Sequence, residues 1–197
     1  LETELSPVLT EKLQFLENKK ILFVGRLIYY KGVDVLIEAF KRVNNAELFI
    51  VGTGSDEEAL KNSASILGNK VHFLGNLSDK DLKSAFSDCD VFVLPSIEKS
   101  EAFGIVQLEA MIYEKPVINT DLKTSVPYVS IDGQTGITVK TGDVQELADA
   151  MNKLISDDDL RSLYGGNAAK RVLSAFEKDA VMKNVYNQLK KLMEEKQ

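Results

Sequence analysis

The stretch Ile21-Leu22-Phe23-Val24-Gly25-Arg26-Leu27-Ile28-Tyr29-Tyr30-Lys31-Gly32-Val33-Asp34-Val35-Leu36-Ile37 decides how this chain folds. Its first four residues are apolar without alternation, which suits a strand covered on both faces. Gly25 ends that run. From Val33 the apolar residues fall at positions 33, 36, 37, 40 and 43, the spacing of one helix face. The same unit recurs down the chain. Leu48-Phe49-Ile50-Val51 ends at Gly52 and precedes a helix predicted over 57–67. Val71-His72-Phe73-Leu74 ends at Gly75, and Ser78 is placed to cap a helix over 79–87. Val91-Phe92-Val93-Leu94 ends at Pro95 and precedes a helix predicted over 104–113. Pro116-Val117-Ile118-Asn119 reads as a fifth strand and Gly136-Ile137-Thr138-Val139 as a sixth. Asp143 is placed to cap a helix through Ile155, and helices at about 158–174 and 178–193 complete the pattern. The expected fold is α/β. It is a single domain with a doubly wound, Rossmann-like parallel sheet of about six strands and helices on both faces. Residues 1–18 read as a linker or docking helix, 19–175 as the domain, and 176–197 as a C-terminal helix with a frayed end.

Composition narrows the function. A chain of 197 residues, 44% hydrophobic, suffices for one substantial core. A net charge of −6 argues against a general nucleic-acid binder, whose footprint is basic. No run of 18 apolar residues offers a membrane span, and the first residues carry no signal-peptide pattern. Cys89 is the only cysteine, so no internal disulfide can form, which points to the cytosol. His72 is the only histidine, and it sits inside a strand beside Phe73. Clusters of His and Cys around a metal are thereby excluded, as is a His-based triad. A chain that begins at Leu1 suits a fragment of a longer one.

Ligands of doubly wound folds bind at the carboxyl ends of the strands, and the chemistry-bearing residues fall there. After the first strand, Arg26 and Lys31 project from a loop that ends at Gly32. A guanidinium fork beside an ammonium suits a diphosphate, although two solvated loop cations would leave the same trace. The loop lacks the spacing of a Walker A motif. Gly52-Thr53-Gly54 lacks the third glycine of a dinucleotide fingerprint, because Glu57 stands there, and reads as a tight turn. The strongest segment runs from Glu101 to Glu109. Glu101 precedes a helix and Glu109 lies about two turns along it, on nearly the same side. Between them, Gly104, Ile105 and Val106 offer backbone N–H groups free to meet phosphate oxygens. Carboxylates accept hydroxyl protons and avoid phosphate, so the arrangement matches a nucleotide sugar: ribose, diphosphate, then sugar. Glu109 is flanked by Leu108 and Met111 and is therefore not expected to be a plain surface residue. For Glu101 the plainer alternative is a carboxylate favoured by the helix dipole. His72 and Cys89 read as packing residues.

Five ordered signals then resemble the C-terminal, donor-binding domain of the retaining glycosyltransferases of family 4, also called group 1, which have the GT-B fold. They are Gly25-Arg26-Leu27 with Lys31-Gly32; Val51-Gly52-x-Gly54; Val71-x-Phe73-x-Gly75; Asp90 through Ser96; and Glu101-x-Phe103-Gly104 through Glu109-Ala110-Met111 to Pro116-Val117. The resemblance covers about residues 19–175. It implies that Arg26 and Lys31 neutralise the donor diphosphate and that Glu101 binds hydroxyls of the sugar. It implies further that Gly25, Phe103, Gly104, Ile105 and Val106 line the phosphate and sugar, that Glu109 holds the ribose, and that Leu77 lies beside the base. No metal and no other cofactor is implied. The implied partners are a UDP-, GDP- or ADP-sugar, a glycan or lipid acceptor, and an N-terminal acceptor domain of the same parent chain, with which any peripheral membrane association would rest.

Two positions depart from the family pattern. Glu114 stands where the family usually has Gly, and Tyr128 stands where it often has Glu. On this reading the chain binds donor but does not transfer sugar alone. A stand-alone nucleotide-sugar binding module, or an epimerase of similar fold, are the competing classes. The epimerase would need a pattern of carboxylates and His that the chain lacks.

Overall fold

The computed structural model describes residues 18–176. The linker expected before Asn18 and the helix expected at 178–193 lie outside the described residues. Six strands form one sheet: β1 Lys19–Val24, β2 Ala46–Val51, β3 Val71–Gly75, β4 Val91–Leu94, β5 Val117–Thr120 and β6 Gly136–Val139. Their order is β3-β2-β1-β4-β5-β6, and every pairing is parallel. The direction of winding therefore reverses between β1 and β4, which opens a crevice above their carboxyl ends.

Among the described residues, seven α-helices cover the sheet: α1 Val33–Phe40, α2 Glu57–Ala64, α3 Asp79–Asp88, α4 Val106–Ile112, α5 Val126–Val129, α6 Val144–Ser156 and α7 Asp158–Arg171. Successive residues of β1 feed opposite layers. Ile21 and Phe23 pack with Leu36, Ile37, Leu60, Met151 and Leu154 on one face. Leu22 packs with Phe86, Met111, Val126 and Val129 on the other. Strands buried on both sides explain the unbroken apolar runs in the sequence. Each fully buried side chain of this size stabilises the fold by roughly 2 kcal/mol.

Local chemistry sets the helix ends. Ser78 accepts from the Asp81 N–H at 3.2 Å, and Asp143 Oδ1 accepts from the N–H groups of Gln145 and Glu146 at 3.0 and 2.9 Å. Each cap contributes about 1 kcal/mol. Several helices are shorter than their periodicity predicts. α1 stops at Phe40, and Asn45 at φ 55° turns the chain into β2. α2 gives way to tight turns over Ser65–Lys70, where Gly68 has φ 55°. α4 begins at Val106 rather than 104, because Gly104 has φ 67°. α5 was not legible at all, being one turn opened by Pro127.

Glu114 occupies the left-handed region, with φ 58°. The turn therefore keeps the conformation that a glycine would adopt freely, at a cost of about 1–2 kcal/mol for a residue with a Cβ. A close approach accompanies it. A Cβ on Gly165 of α7 would lie 2.0 Å from the Glu114 carbonyl oxygen.

Candidate active site

The loops after β1 and β4 meet over the crevice. Gly32 has φ 65°, and a Cβ there would lie 2.2 Å from the Pro95 carbonyl oxygen, so only glycine lets the loops come together. The Ile97 N–H donates to the Tyr30 carbonyl at 2.8 Å and ties them. This contact brings together two residues 70 positions apart. Lys31 Nζ donates to Glu101 Oε2 at 2.5 Å, with their side chains 13% and 10% exposed. Ser96, fully buried, donates its Oγ–H to the same oxygen at 3.0 Å. Glu101 Oε1 has no hydrogen-bond partner among the described residues. Arg26 is exposed; its Nη2 donates to the Tyr30 hydroxyl at 3.1 Å, while the Lys31 ammonium lies 5.6 Å from the centre of the Tyr30 ring. Tyr30 thus sits between the two cations.

Two adjoining clefts are lined by other residues of these loops and of α3 and α4. One, of about 320 Å³, is lined by Val24, Gly25, Arg26, Val51, Gly52, Thr53, Asn76, Leu77 and Leu82. It therefore unites Gly25, Arg26 and Leu77 at the carboxyl ends of the first three strands. The second, of about 450 Å³, is lined by Asp79, Leu82, Lys83, Phe86, Glu109, Ile112 and Tyr113. Leu82 belongs to both. Glu109 corrects one expectation: Met111 is buried, but Glu109 itself is exposed. It projects into the second cleft, whose walls partly desolvate its carboxyl and push its pKa up. That carboxyl has no hydrogen-bond partner among the described residues.

The segment between the two glutamates has its own geometry. A Cβ on Gly104 would lie 2.5 Å from Leu94 Cδ2 and 2.9 Å from Gln107 Nε2. Among the described residues the N–H groups of Gly104, Ile105 and Val106 have no acceptor. Ile105 is 69% exposed. Phe103 lines neither cleft. Its ring meets Phe176 edge-on at 6.0 Å, and Phe176 meets Tyr128 in the same way at 5.9 Å. Arg171 stacks over Tyr128 and donates to the carbonyls of Tyr128 and Val129. Tyr128 thus anchors the last described turn.

Polar residues inside the sheet were missed by sequence reasoning. Asn119 Nδ2 donates to Gln107 Oε1 and to the carbonyls of Val126 and Ser130, while its Oδ1 accepts from Thr138. Thr120 Oγ1 donates to the Ser96 carbonyl at 2.7 Å. The available signal was the polar pair Asn119-Thr120 ending an apolar strand. Buried polar groups need partners, and these hold the β4 and α4 loops from beneath. The packing roles expected elsewhere are found. His72 Nε2 lies 2.6 Å from Glu47 Oε2 and its ring stacks on Phe49. Cys89 is buried, and desolvation pushes its thiol up to about 12. The Gly52-Thr53-Gly54 turn is a close packing of loops, since a Cβ on Gly54 would lie 2.1 Å from the Leu27 carbonyl oxygen. Among the described residues, no three His, Cys, Asp or Glu side chains group as a metal site.

This architecture has known relatives. The chain is 34% identical over 176 residues to O-antigen chain mannosyltransferase C of Escherichia coli, covering 89% of this chain and 47% of that protein. It is 38% identical over 160 residues to a phosphatidyl-myo-inositol mannosyltransferase of Mycobacterium leprae, covering 79% of this chain and 42% of that protein. The chain thus spans about half the length of these relatives. Among solved structures, Anabaena HepE in complex with UDP superposes with a TM-score of 0.78 at 26% identity, over 94% of this chain and 53% of that one. The C-terminal domain of a group 1 glycosyl transferase from Francisella tularensis, at 24% identity, shares the fold with a TM-score of 0.74 over 89% of this chain and 96% of that domain. The family model for glycosyl transferases group 1 matches residues 8–171, and the chain belongs to that family.

Proposed function

We propose that this chain is the nucleotide-sugar binding half of a retaining hexosyltransferase that builds a glycan or glycolipid. The observation that carries the reading is the Lys31–Glu101–Ser96 cluster at the point where sheet winding reverses, together with the Arg26-lined cleft at the carboxyl ends of the first three strands. Arg26, from one cleft edge, and Lys31 supply two positive charges for a diphosphate. Gly104, Ile105 and Val106 add N–H donors beside it. Leu77 offers an apolar wall to the base, and Glu109 offers a partly desolvated carboxylate to the ribose hydroxyls. Glu101 accepts from hydroxyls of the sugar. As the glycosidic bond breaks, negative charge grows on the departing diphosphate, and fixed cations stabilise that charge most at the transition state. The basic pair takes the part a divalent metal plays elsewhere, so no metal is required.

Relatives that are mannosyltransferases, and a structural neighbour that holds UDP, support a hexose donor without selecting the base. Acceptor binding falls to a further domain, and this chain alone binds donor without turnover. The test is thermal shift and calorimetry with UDP-glucose, GDP-mannose and ADP-glucose, with and without EDTA. At least one donor should raise the melting temperature, since a ligand bound only by the folded state stabilises it. The gain should survive the chelator. No shift with any donor at millimolar concentration refutes the reading.

A further inference from the structure

Among the described residues, Glu101 receives two hydrogen bonds on one oxygen and none on the other. Lys31 Nζ and Ser96 Oγ both donate to Oε2, at 2.5 and 3.0 Å, while Oε1 has no partner among the described residues. A carboxylate free to rotate would share its oxygens between the donors. Here the plane is fixed, because Ser96 is itself fixed. It is fully buried at the end of β4, and its carbonyl accepts from Thr120 Oγ1 at 2.7 Å. Thr120 is 2% exposed and ends β5, so the chain Thr120–Ser96–Glu101 runs from the sheet interior to the crevice. The next residue, Ile97, binds the Tyr30 carbonyl beside Lys31. Both donors to Oε2 are therefore anchored to one pair of strands.

We propose that Ser96, backed by Thr120, is a positioning residue that saturates Oε2 of Glu101 and leaves Oε1 as the oxygen that selects the donor sugar. The inference rests on the reading that Glu101 meets the sugar. Without the Ser96 hydroxyl, the carboxylate turns about its last torsion, and its free oxygen no longer faces one direction. The nucleoside contacts and the diphosphate cations Arg26 and Lys31 remain in place, Lys31 still paired with Glu101. The loss therefore falls on the sugar half of the ligand alone.

The experiment uses the 197-residue chain and calorimetry with UDP against UDP-glucose and GDP against GDP-mannose, carrying forward the pair that binds. The quantity read is the ratio of the two dissociation constants. In Ser96→Ala the sugar ligand should lose about tenfold in affinity, the size of one lost hydrogen bond to a charged group. The free diphosphate should change by less than about twofold. Thr120→Val, which keeps the shape and removes the hydroxyl, should shift the ratio in the same direction by a smaller factor, and Thr120→Ser should restore it. Glu101→Gln serves as the reference. If Glu101→Gln moves the ratio and Ser96→Ala does not, Ser96 has no positioning role. A general weakening of both ligands with a lowered melting temperature equally overturns the proposal, because that is the mark of a merely structural serine. If neither variant moves the ratio, the assignment of Glu101 to the sugar falls, and the proposal falls with it.

Discussion

Replacing Lys31 by Met should destabilise the domain as well as its ligand complex. The ammonium and the Glu101 carboxylate meet at 2.5 Å with side chains about nine-tenths enclosed. At an effective dielectric near 20 their attraction is roughly 7 kcal/mol before any cost is counted. Desolvation offsets most of that, which is why swapping a whole buried pair for neutral groups is often nearly neutral. Removing one partner is different. It leaves Glu101 enclosed with only the Ser96 hydroxyl to meet its charge, and the expected loss is about 3 kcal/mol. For a domain of this size that corresponds to a fall of about 6–12 °C in melting temperature. Urea denaturation followed by circular dichroism measures it. The double variant Lys31→Met/Glu101→Gln, which removes both charges, should recover to within about 1 kcal/mol of the parent. A single variant that loses less than about 1 kcal/mol, with no coupling in the double-mutant cycle, shows that the pair is solvated and not the buried junction described above.

Arg26→Ala should behave in the opposite way: Arg26 is exposed, so melting is unchanged while diphosphate affinity falls about tenfold in calorimetry. Gly165→Ala should cost at least about 2 kcal/mol in urea denaturation, because its Cβ would lie 2.0 Å from a backbone oxygen that cannot step aside. Gly166→Ala, with nothing within 4 Å of its Cβ, should instead gain about 0.5–1 kcal/mol from helix propensity. Glu109→Gln should weaken nucleotide binding yet stabilise the free domain near neutral pH. The Glu109 carboxyl titrates higher in the folded than in the unfolded chain, so its stability contribution is full at low pH and is lost as pH rises through the folded value. The stabilising effect of the Gln should therefore vanish in thermal melts below pH 4; an effect of equal size at both pH values contradicts the placement of Glu109.

The sheet was legible in the sequence because its central strands are buried on both faces. Apolar runs such as Ile21–Val24 and Val91–Leu94 need no alternation to be read, and a glycine or proline closes each. Helix ends were less legible. The apolar period of α1 continues to Val43, but the chain leaves the helix at Phe40 through tighter turns, with the N–H groups of Arg42 and Val43 bonding the carbonyls of Ala39 and Phe40. Periodicity reports which face is apolar, not where the backbone leaves the right-handed region. The site was legible as a set of loops and not as contacts. Arg26, Lys31, Glu101 and Glu109 were each singled out as candidates from residue type and position after a strand. That Lys31 binds Glu101 depends on the order in which β1 and β4 lie, which no local pattern carries. Ser96 and Thr120 were invisible for a further reason: a Ser after Pro95 and a Thr at a strand end look like ordinary boundary residues. Only burial shows them to be bound. Glu114 shows the converse: it stands where the family usually has glycine, and the backbone there holds the left-handed geometry regardless.

The central claim is that a nucleotide sugar binds across the carboxyl ends of β1 to β4. Amide chemical-shift mapping of the isotope-labelled chain tests it most directly, with UDP-glucose, GDP-mannose and ADP-glucose titrated in turn. The account predicts that one donor perturbs Gly25 to Gly32, Asn76 and Leu77, and Ser96 to Glu109 together, in fast or slow exchange according to its affinity. Perturbations confined to the opposite end of the sheet, around Glu47 and His72, would contradict it.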